Sequence, residues 1–430
     1  MTEKTTEKTS AAPRPAPLPA ELDTGADDST IRPFHIDVPE EELVDLRERI
    51  AATRWPEKEG VEDASQGVQL ATIQAVAHYW ETEHDWRKCE AKLNSVPNFI
   101  TEIDGLDIHF VHVRSKHEDA LPLIVCHGWP GSVIEQLKIV DLLTDPTAHG
   151  ASASDAFHLV IPNMPGYGFS GKPATTGWDP IRMGRAYVVL MKRLGYERFV
   201  AAGGDYGALV VDYMAGGRDA PSAPEPAPPE LLGIHTNFPG VFPVDVDTAI
   251  KTGGEQSPDL SADERHAAEH LGAAYKHAAY AVQMGTRPQT MYGLNDSPVF
   301  LAAYMLDHDP TSYATLIRPA FVDGNEGGLT REDVLDNITM FWLTNSGFSA
   351  AKSYWEYLGY GSFADVRNVT VPVAVSVFPD ELFRAPRSWT EKAYPNLIHY
   401  NEVDRGGHFA AWEQPELYAS ELRDGFRSLR

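Results

Sequence analysis

A mostly parallel β-sheet with helices on both faces, interrupted by a helical insertion, is the α/β fold class that this 430-residue sequence predicts. Three observations carry the prediction. From Leu121 onward, short apolar runs (PLIVCHGW, FHLVIPNMPGYG, RFVAAGGDYG) alternate with helical stretches at Val133–Leu143 and Met183–Leu194, and strand–turn–helix–strand is the pattern of a parallel sheet. The alternation lapses between about Val241 and Gly361, then resumes at VPVAVSVFPDE and NLIHYNEVDRGGHF. The length also exceeds what one compact core usually takes, which calls for a sizeable insertion or a second small domain.

Along the chain, Met1 to about Ser29 is rich in Thr, Ala, Pro and acidic groups without apolar periodicity, so residues 1–30 are expected to be a disordered tail. PFHIDVP reads as extended, and Glu40–Thr53 places Leu43, Leu46 and Ile50 on one helical face behind Pro39. Gly67–Glu83 carries Val68, Leu70, Ile73, Val76 and Trp80, and a further helix follows over Trp86–Leu93. Asn98–Val113 reads as two extended segments broken by Asp104-Gly105, a hairpin signal. Residues 31–115 are therefore a helical and extended N-terminal meander. Residues 116–240 form the first part of the core: the apolar runs, a helix from Tyr206 to about Gly216, a Pro-rich surface loop at Asp219–Pro229 and a strand at Leu231–Asn237. Residues 241–362 read as a helical lid, with helices at Ser261–Met284, Pro298–Asp307, Thr330–Leu343 and Ser349–Tyr357, and 363–430 supply the last strands.

Composition narrows the partners. Against 36 Lys and Arg stand 62 Asp and Glu, a net charge of −26, which repels nucleic acid and anionic membrane surfaces and offers no field to steer anionic substrates. A neutral or apolar substrate fits better, and the excess also keeps the protein in solution. The two cysteines, Cys89 and Cys126, show neither a disulfide framework nor metal-ligand spacing. MTEKTTEKTS lacks the apolar core of a signal or anchor, and no stretch approaches the ~20 apolar residues of a spanning helix. The expectation is a cytoplasmic protein with no membrane or nucleic-acid partner; a homodimer is compatible with it.

Four segments carry chemistry. Gly203-Gly204-Asp205-Tyr206-Gly207 has the form of a nucleophile elbow, a tight strand-to-helix turn that pushes one side chain to the sheet edge. A serine there would attack esters or amides, whereas a carboxylate displaces at carbon, as in epoxides and alkyl halides. Asp205 also suits an acidic helix N-cap. His127-Gly128-Trp129-Pro130-Gly131-Ser132 follows the first core strand and opens a helix, where the Trp129 N–H, with that of Tyr206, is placed for an oxyanion hole. Gly406-Gly407-His408-Phe409 offers an imidazole base at the same edge. The acid that orients it follows VPVAVSVF, where Asp380 and Glu381 stand side by side and strand logic does not choose between them.

From Ile31 to Arg430 the chain resembles the microsomal-type epoxide hydrolases, a group that includes juvenile hormone epoxide hydrolases and soluble fungal and bacterial members. PFHIDVP…LRERI…TRWPE, HGWPGS, GGDYG, LNDSPVFLAAY, FPDEL and GGHFAAWEQPE carry the resemblance. It implies an α/β-hydrolase fold and conversion of an epoxide and water to a vicinal diol through a covalent Asp alkyl ester, without cofactor or metal. By the resemblance Asp205 is the nucleophile, His408 the base and Glu381 its partner, Asp380 falling on a variable position. Tyr280 in HAAYAVQ and Tyr354 in KSYWEYLG match the epoxide-oxygen donors, ahead of Tyr275, Tyr292, Tyr304 and Tyr357. The anchor of the animal enzymes has no counterpart. Lid aromatics, including Tyr304, Phe341, Trp342 and Trp355, suit an aryl or other bulky apolar epoxide, in detoxification or secondary metabolism. Two rivals remain. A haloalkane dehalogenase often carries Trp directly after the nucleophile, where Tyr206 stands; a non-catalytic ligand-binding relative should have lost one of Asp205, Glu381 and His408.

Overall fold

The computed structural model describes residues 29–217, 226–324, 328–358 and 369–430. The expected tail falls almost wholly outside them, as does most of the Pro-rich loop. The core is a nine-stranded sheet of order β1-β2-β3-β5-β4-β6-β7-β8-β9, made of β1 Arg32–Phe34, β2 Asn98–Ile103, β3 Leu106–Val113, β4 Leu121–Cys126, β5 Phe157–Pro162, β6 Phe199–Gly203, β7 Leu231–Thr236, β8 Val373–Val377 and β9 Leu397–Glu402. From β4 to β9 the strands are parallel; β1, β2 and β3 extend the β5 edge as an antiparallel meander. Asp104 and Gly105 join β2 to β3 with φ of 53° and 74°, the two positive values that a type I′ hairpin turn needs.

The topology places the working edge. β5 lies on one side of β4 and β6 on the other, so the chain reverses direction across the sheet at β4, and a crevice opens beyond the C-terminal ends of these strands. Cys126 at the end of β4 is in register with Gly203 at the end of β6. His127–Trp129 and Gly204–Tyr206 therefore emerge side by side. The central strands are buried along nearly their whole length, Pro122 alone being partly exposed, which is why they read as continuous apolar runs rather than alternating ones.

Helix boundaries moved where packing overrode local pattern. Val133–Leu143 is not one helix but Val133–Gln136, a 3₁₀ turn at Leu137–Ile139 and Val140–Thr144. Ser261–Met284 is broken at Ala278 into Ala262–His277 and Ala279–Thr286. No Gly or Pro marks that break; it turns Tyr280 inward, to 8% exposure. The helix Val244–Thr252 and the π-helical turns at Tyr313–Ile317 and Pro319–Asp323 were not expected. Asn337, on the lid helix Arg331–Leu343, accepts from the Ser132 hydroxyl at 2.6 Å and donates to the Pro130 carbonyl at 2.7 Å, tying the lid to the loop after β4. Among the described residues no helix is long and apolar enough to cross a membrane.

Candidate active site

The turn after β6 is built by its glycines. A Cβ on Gly203 would lie 2.3 Å from the Gly207 carbonyl oxygen, and one on Gly207 would lie 2.3 Å from that of Cys126. Only bare backbone fits there, and Asp205 is driven to φ 48°, a left-handed conformation that costs an L residue of order 1–3 kcal/mol and is kept where function needs it. Asp205 begins the helix Asp205–Met214, whose dipole favours an anion at this end. Gly128 makes room for the carboxylate: a Cβ there would sit 2.2 Å from Asp205 Oδ1.

Three groups converge on Asp205 from the loops beyond β4, β8 and β9. The Trp129 N–H donates to Asp205 Oδ1 at 2.8 Å. His408 Nε2 lies 3.4 Å from Asp205 Oδ2, and its Nδ1 lies 2.5 Å from Glu381 Oε1. Glu381 is buried and also accepts the Leu382 N–H at 2.7 Å. Asp380 is exposed and bridges to Gly407 through its backbone; of the adjacent acids, only Glu381 touches the imidazole. Tyr206 is the first residue after the helix start, so its N–H has no intrahelical acceptor, and its hydroxyl donates to the Ser353 carbonyl at 2.9 Å. His127 is excluded as a base: Nε2 accepts the Met164 N–H, Nδ1 faces the Gly128 carbonyl, and burial lowers it to about 4.

Above this edge, Tyr280 and Tyr354 are both buried, ring centroids 5.9 Å apart, on the helices Ala279–Thr286 and Gly347–Leu358. Of the aromatics expected around a substrate, Phe341 and Tyr304 flank Trp129. Trp342 instead packs against the core with Arg49 over its ring, and Trp355 is exposed.

The N-terminal region, residues 31–136, matches the family model described as epoxide hydrolase N terminus, and residues 122–222 match that of the alpha/beta hydrolase fold. The chain is 49% identical to a Stigmatella aurantiaca protein provisionally named an epoxide hydrolase, over 93% of this chain and 86% of that one. It is 36% identical to epoxide hydrolase 1 of Oryctolagus cuniculus, over 93% and 89%. The chain belongs to the epoxide hydrolase family. The solved structure of Aspergillus niger epoxide hydrolase superposes with a TM-score of 0.76 at 28% identity, covering 96% of this chain and 99% of that one.

Electrostatics in this epoxide hydrolase separate the groups. Burial alone would raise the Asp205 carboxyl, but His408, His308 and the Trp129 N–H outweigh it and hold it below its ordinary value. Burial alone would lower His408; Glu381 and Asp205 overcome that and hold it well above. Both tyrosines are pushed far up, by burial first and then by Asp205, so they remain phenols that can donate. A small cavity with room for about one water molecule is bordered by Gly128, Trp129, Glu135, Asp205, Asn237 and His408.

Sequence reading missed two residues of this site. His308 and Asp309, just beyond the helix Pro298–Leu306, are buried. The His308 ring lies against His408 with centroids 4.5 Å apart, and its Nε2 meets the Tyr280 hydroxyl at 3.0 Å. A His-Asp dipeptide before Pro310 was the sole signal, among 16 histidines. Asp205, His308 and His408 also offer ligand atoms within 4.8 Å of one another, a spacing a divalent ion can bridge; the imidazole nitrogens of that group already have protein neighbours.

Proposed function

We propose that Asp205 attacks an epoxide carbon, that Tyr280 and Tyr354 donate to the epoxide oxygen as its C–O bond breaks, and that His408 then directs water onto the resulting ester. The observation that carries the reading is a carboxylate, not a hydroxyl, at a left-handed elbow with an imidazole 3.4 Å away. Before reaction His408 is charged beside the Asp205 anion. Esterification removes that anion, and with it part of what held the imidazole proton, so alkylation itself converts His408 towards a free base. His408, oriented by Glu381, takes a proton from water; hydroxide adds to Asp205 Cγ, and the Trp129 and Tyr206 N–H groups receive the oxyanion. The tetrahedral adduct collapses, the diol oxygen leaves with the proton of the new C–OH, and the carboxylate is restored. The cavity beside Asp205 and His408 is sized for that water.

The substrate class favoured by Phe341 and Tyr304 beside Trp129 is an aryl or other bulky apolar epoxide. Two free, buried cysteines favour a cytoplasmic setting. A single turnover with excess enzyme in oxygen-18 water tests the mechanism. Unlabelled diol and a heavy atom on the Asp205 peptide are expected, because water attacks the carbonyl carbon of the ester. In His408→Gln the ester should accumulate, seen as a protein mass increase equal to that of the epoxide. Label in the first-turnover diol overturns the covalent route.

A further inference from the structure

We propose that His308, held by Asp309, is a second proton-handling group of this site, which passes the proton that His408 must lose to Tyr280, and so to the epoxide oxygen that must gain one. This rests on the Asp205–His408 reading above. His308 Nδ1 lies 3.1 Å from Asp309 Oδ2 and Nε2 lies 3.0 Å from the Tyr280 hydroxyl, so the ring joins a buried carboxylate to a lid phenol. Asp309 is itself fixed by the Ser312 N–H at 2.7 Å. Burial would raise its carboxyl, but His308 above all holds it down, to about 2. The anion next to His308 is therefore permanent at neutral pH. Facing His308 are Asp309 and Asp307 from its own segment, Tyr280 from the lid, and Asp205 and His408 from the sheet edge; Glu413 acts on both Asp309 and His408.

Which proton Nε2 carries decides what Tyr280 can do. With Nε2 protonated, the ring donates to the phenol oxygen and leaves the phenol proton free for the substrate. With Nε2 bare, the phenol turns its proton onto the ring and loses it for the epoxide. The protons then balance over a turnover without exchange with solvent. As Asp205 attacks carbon, the C–O electron pair goes to oxygen, oxygen takes the Tyr280 proton, and Tyr280 takes the His308 Nε2 proton. His408, its Asp205 partner now an uncharged ester, gives its proton to His308 through one water between them, the two rings offering nitrogens within 4.8 Å of one another. His408 is then the base that deprotonates water, and the diol leaves with each imidazole carrying as many protons as at the start.

A double-mutant cycle on the single-turnover alkylation rate, read as a function of pH, tests this. His308→Gln and Asp309→Asn are each expected to slow alkylation by about 10²-fold and to abolish its decline on the alkaline side. In a Tyr280→Phe background, which removes the receiving phenol, His308→Gln should have no further effect. A merely structural role would instead leave the alkaline limb in place and make the two substitutions multiply, and either result overturns the proposal. Asp309→Asn keeps the imidazole, so it decides the matter if His308→Gln folds poorly. Failure of His408→Gln to accumulate an ester would sink the Asp205 reading itself, whereas ester formation with an unchanged pH profile sinks the relay alone.

Discussion

The two walls of the cleft are held by different physics. On the sheet side, Asp205 opens the helix beyond β6 and backbone geometry aims it: a positive φ, and glycines at 203, 207 and 128 where a Cβ would collide; Glu381 and His408, on the loops beyond β8 and β9, fix one another at 2.5 Å. On the lid side, Tyr280, Tyr354 and His308 pack against one another, with Tyr280 at 5.9 Å from Tyr354 and 4.9 Å from His308 between centroids, and side-chain hydrogen bonds to Asp309 and Tyr280 hold the His308 ring. The proposed nucleophile and base stand on the first wall, and the two phenols proposed to meet a developing alkoxide stand on the second. In the proposed mechanism the sheet edge makes and hydrolyses the ester, and the lid handles the oxygen.

The largest expected effect is on the sheet wall. Asp205→Asn should lower turnover by about 10⁴-fold or more and show no epoxide adduct by mass spectrometry. An adduct on another residue would move the covalent step off this wall. Next, Glu381→Gln should lower steady-state turnover by about 10³- to 10⁴-fold, since a neutral amide neither fixes the imidazole tautomer nor offsets its charge. The ester should accumulate in that variant. Asp380→Asn, exposed and without contact to the ring, should turn over like the wild type; the opposite ranking would exchange the two acids.

Lid substitutions should have smaller effects on a different step. Tyr280→Phe and Tyr354→Phe are each expected to slow ester formation by about 10²-fold, roughly 3 kcal/mol for one oxyanion donor, and the double change to nearly abolish it. Hydrolysis of an ester already formed should be unaffected by Tyr354→Phe, whereas Tyr280→Phe, which also removes the receiver of the His308 proton, should slow it as well. Equal slowing of both steps in Tyr354→Phe would show that this phenol serves the shape of the cleft rather than the alkoxide.

The same contrast explains what the sequence revealed. The sheet wall is written locally: GGDYG and GGHF carry their geometry in glycines, and buried strands announce themselves as apolar runs, so Asp205 and His408 were legible from the residues alone. The choice of Glu381 over Asp380 was not, because it depends on which side chain points under the His408 loop; a family resemblance supplied it. Tyr280 and Tyr354 likewise rested on resemblance among 17 tyrosines. His308 escaped altogether, since its place comes from the packing of the segment after Leu306 against the sheet edge. Nor does any local stop signal mark the break at Ala278 that turns Tyr280 inward.

The smallest effect is on stability, and it has opposite signs on the two walls. Glu135, buried beside Asp205 and Gly128, is pushed up by burial to about 8 from an ordinary 4.5. The folded chain keeps that proton where the unfolded chain has released it, so Glu135 costs stability increasingly as pH rises from about 4.5 to about 8. Glu135→Gln keeps the shape and the Gln136 side-chain contact at 2.9 Å without an ionisable group. Its melting temperature should match the wild type near pH 4.5 and pull ahead steadily towards pH 8. Asp309 is the mirror case: held at about 2 from an ordinary 3.8, its anion stabilises the fold above about pH 4, and that contribution is lost as pH falls towards 2. Asp309→Asn should therefore melt lower than the wild type at neutral pH, with the gap closing in acid. A Glu135→Gln advantage that stays flat from pH 4.5 to 8 would mean that Glu135 is ionised in the folded protein throughout, and a charge at that point would have to be added to the sheet wall.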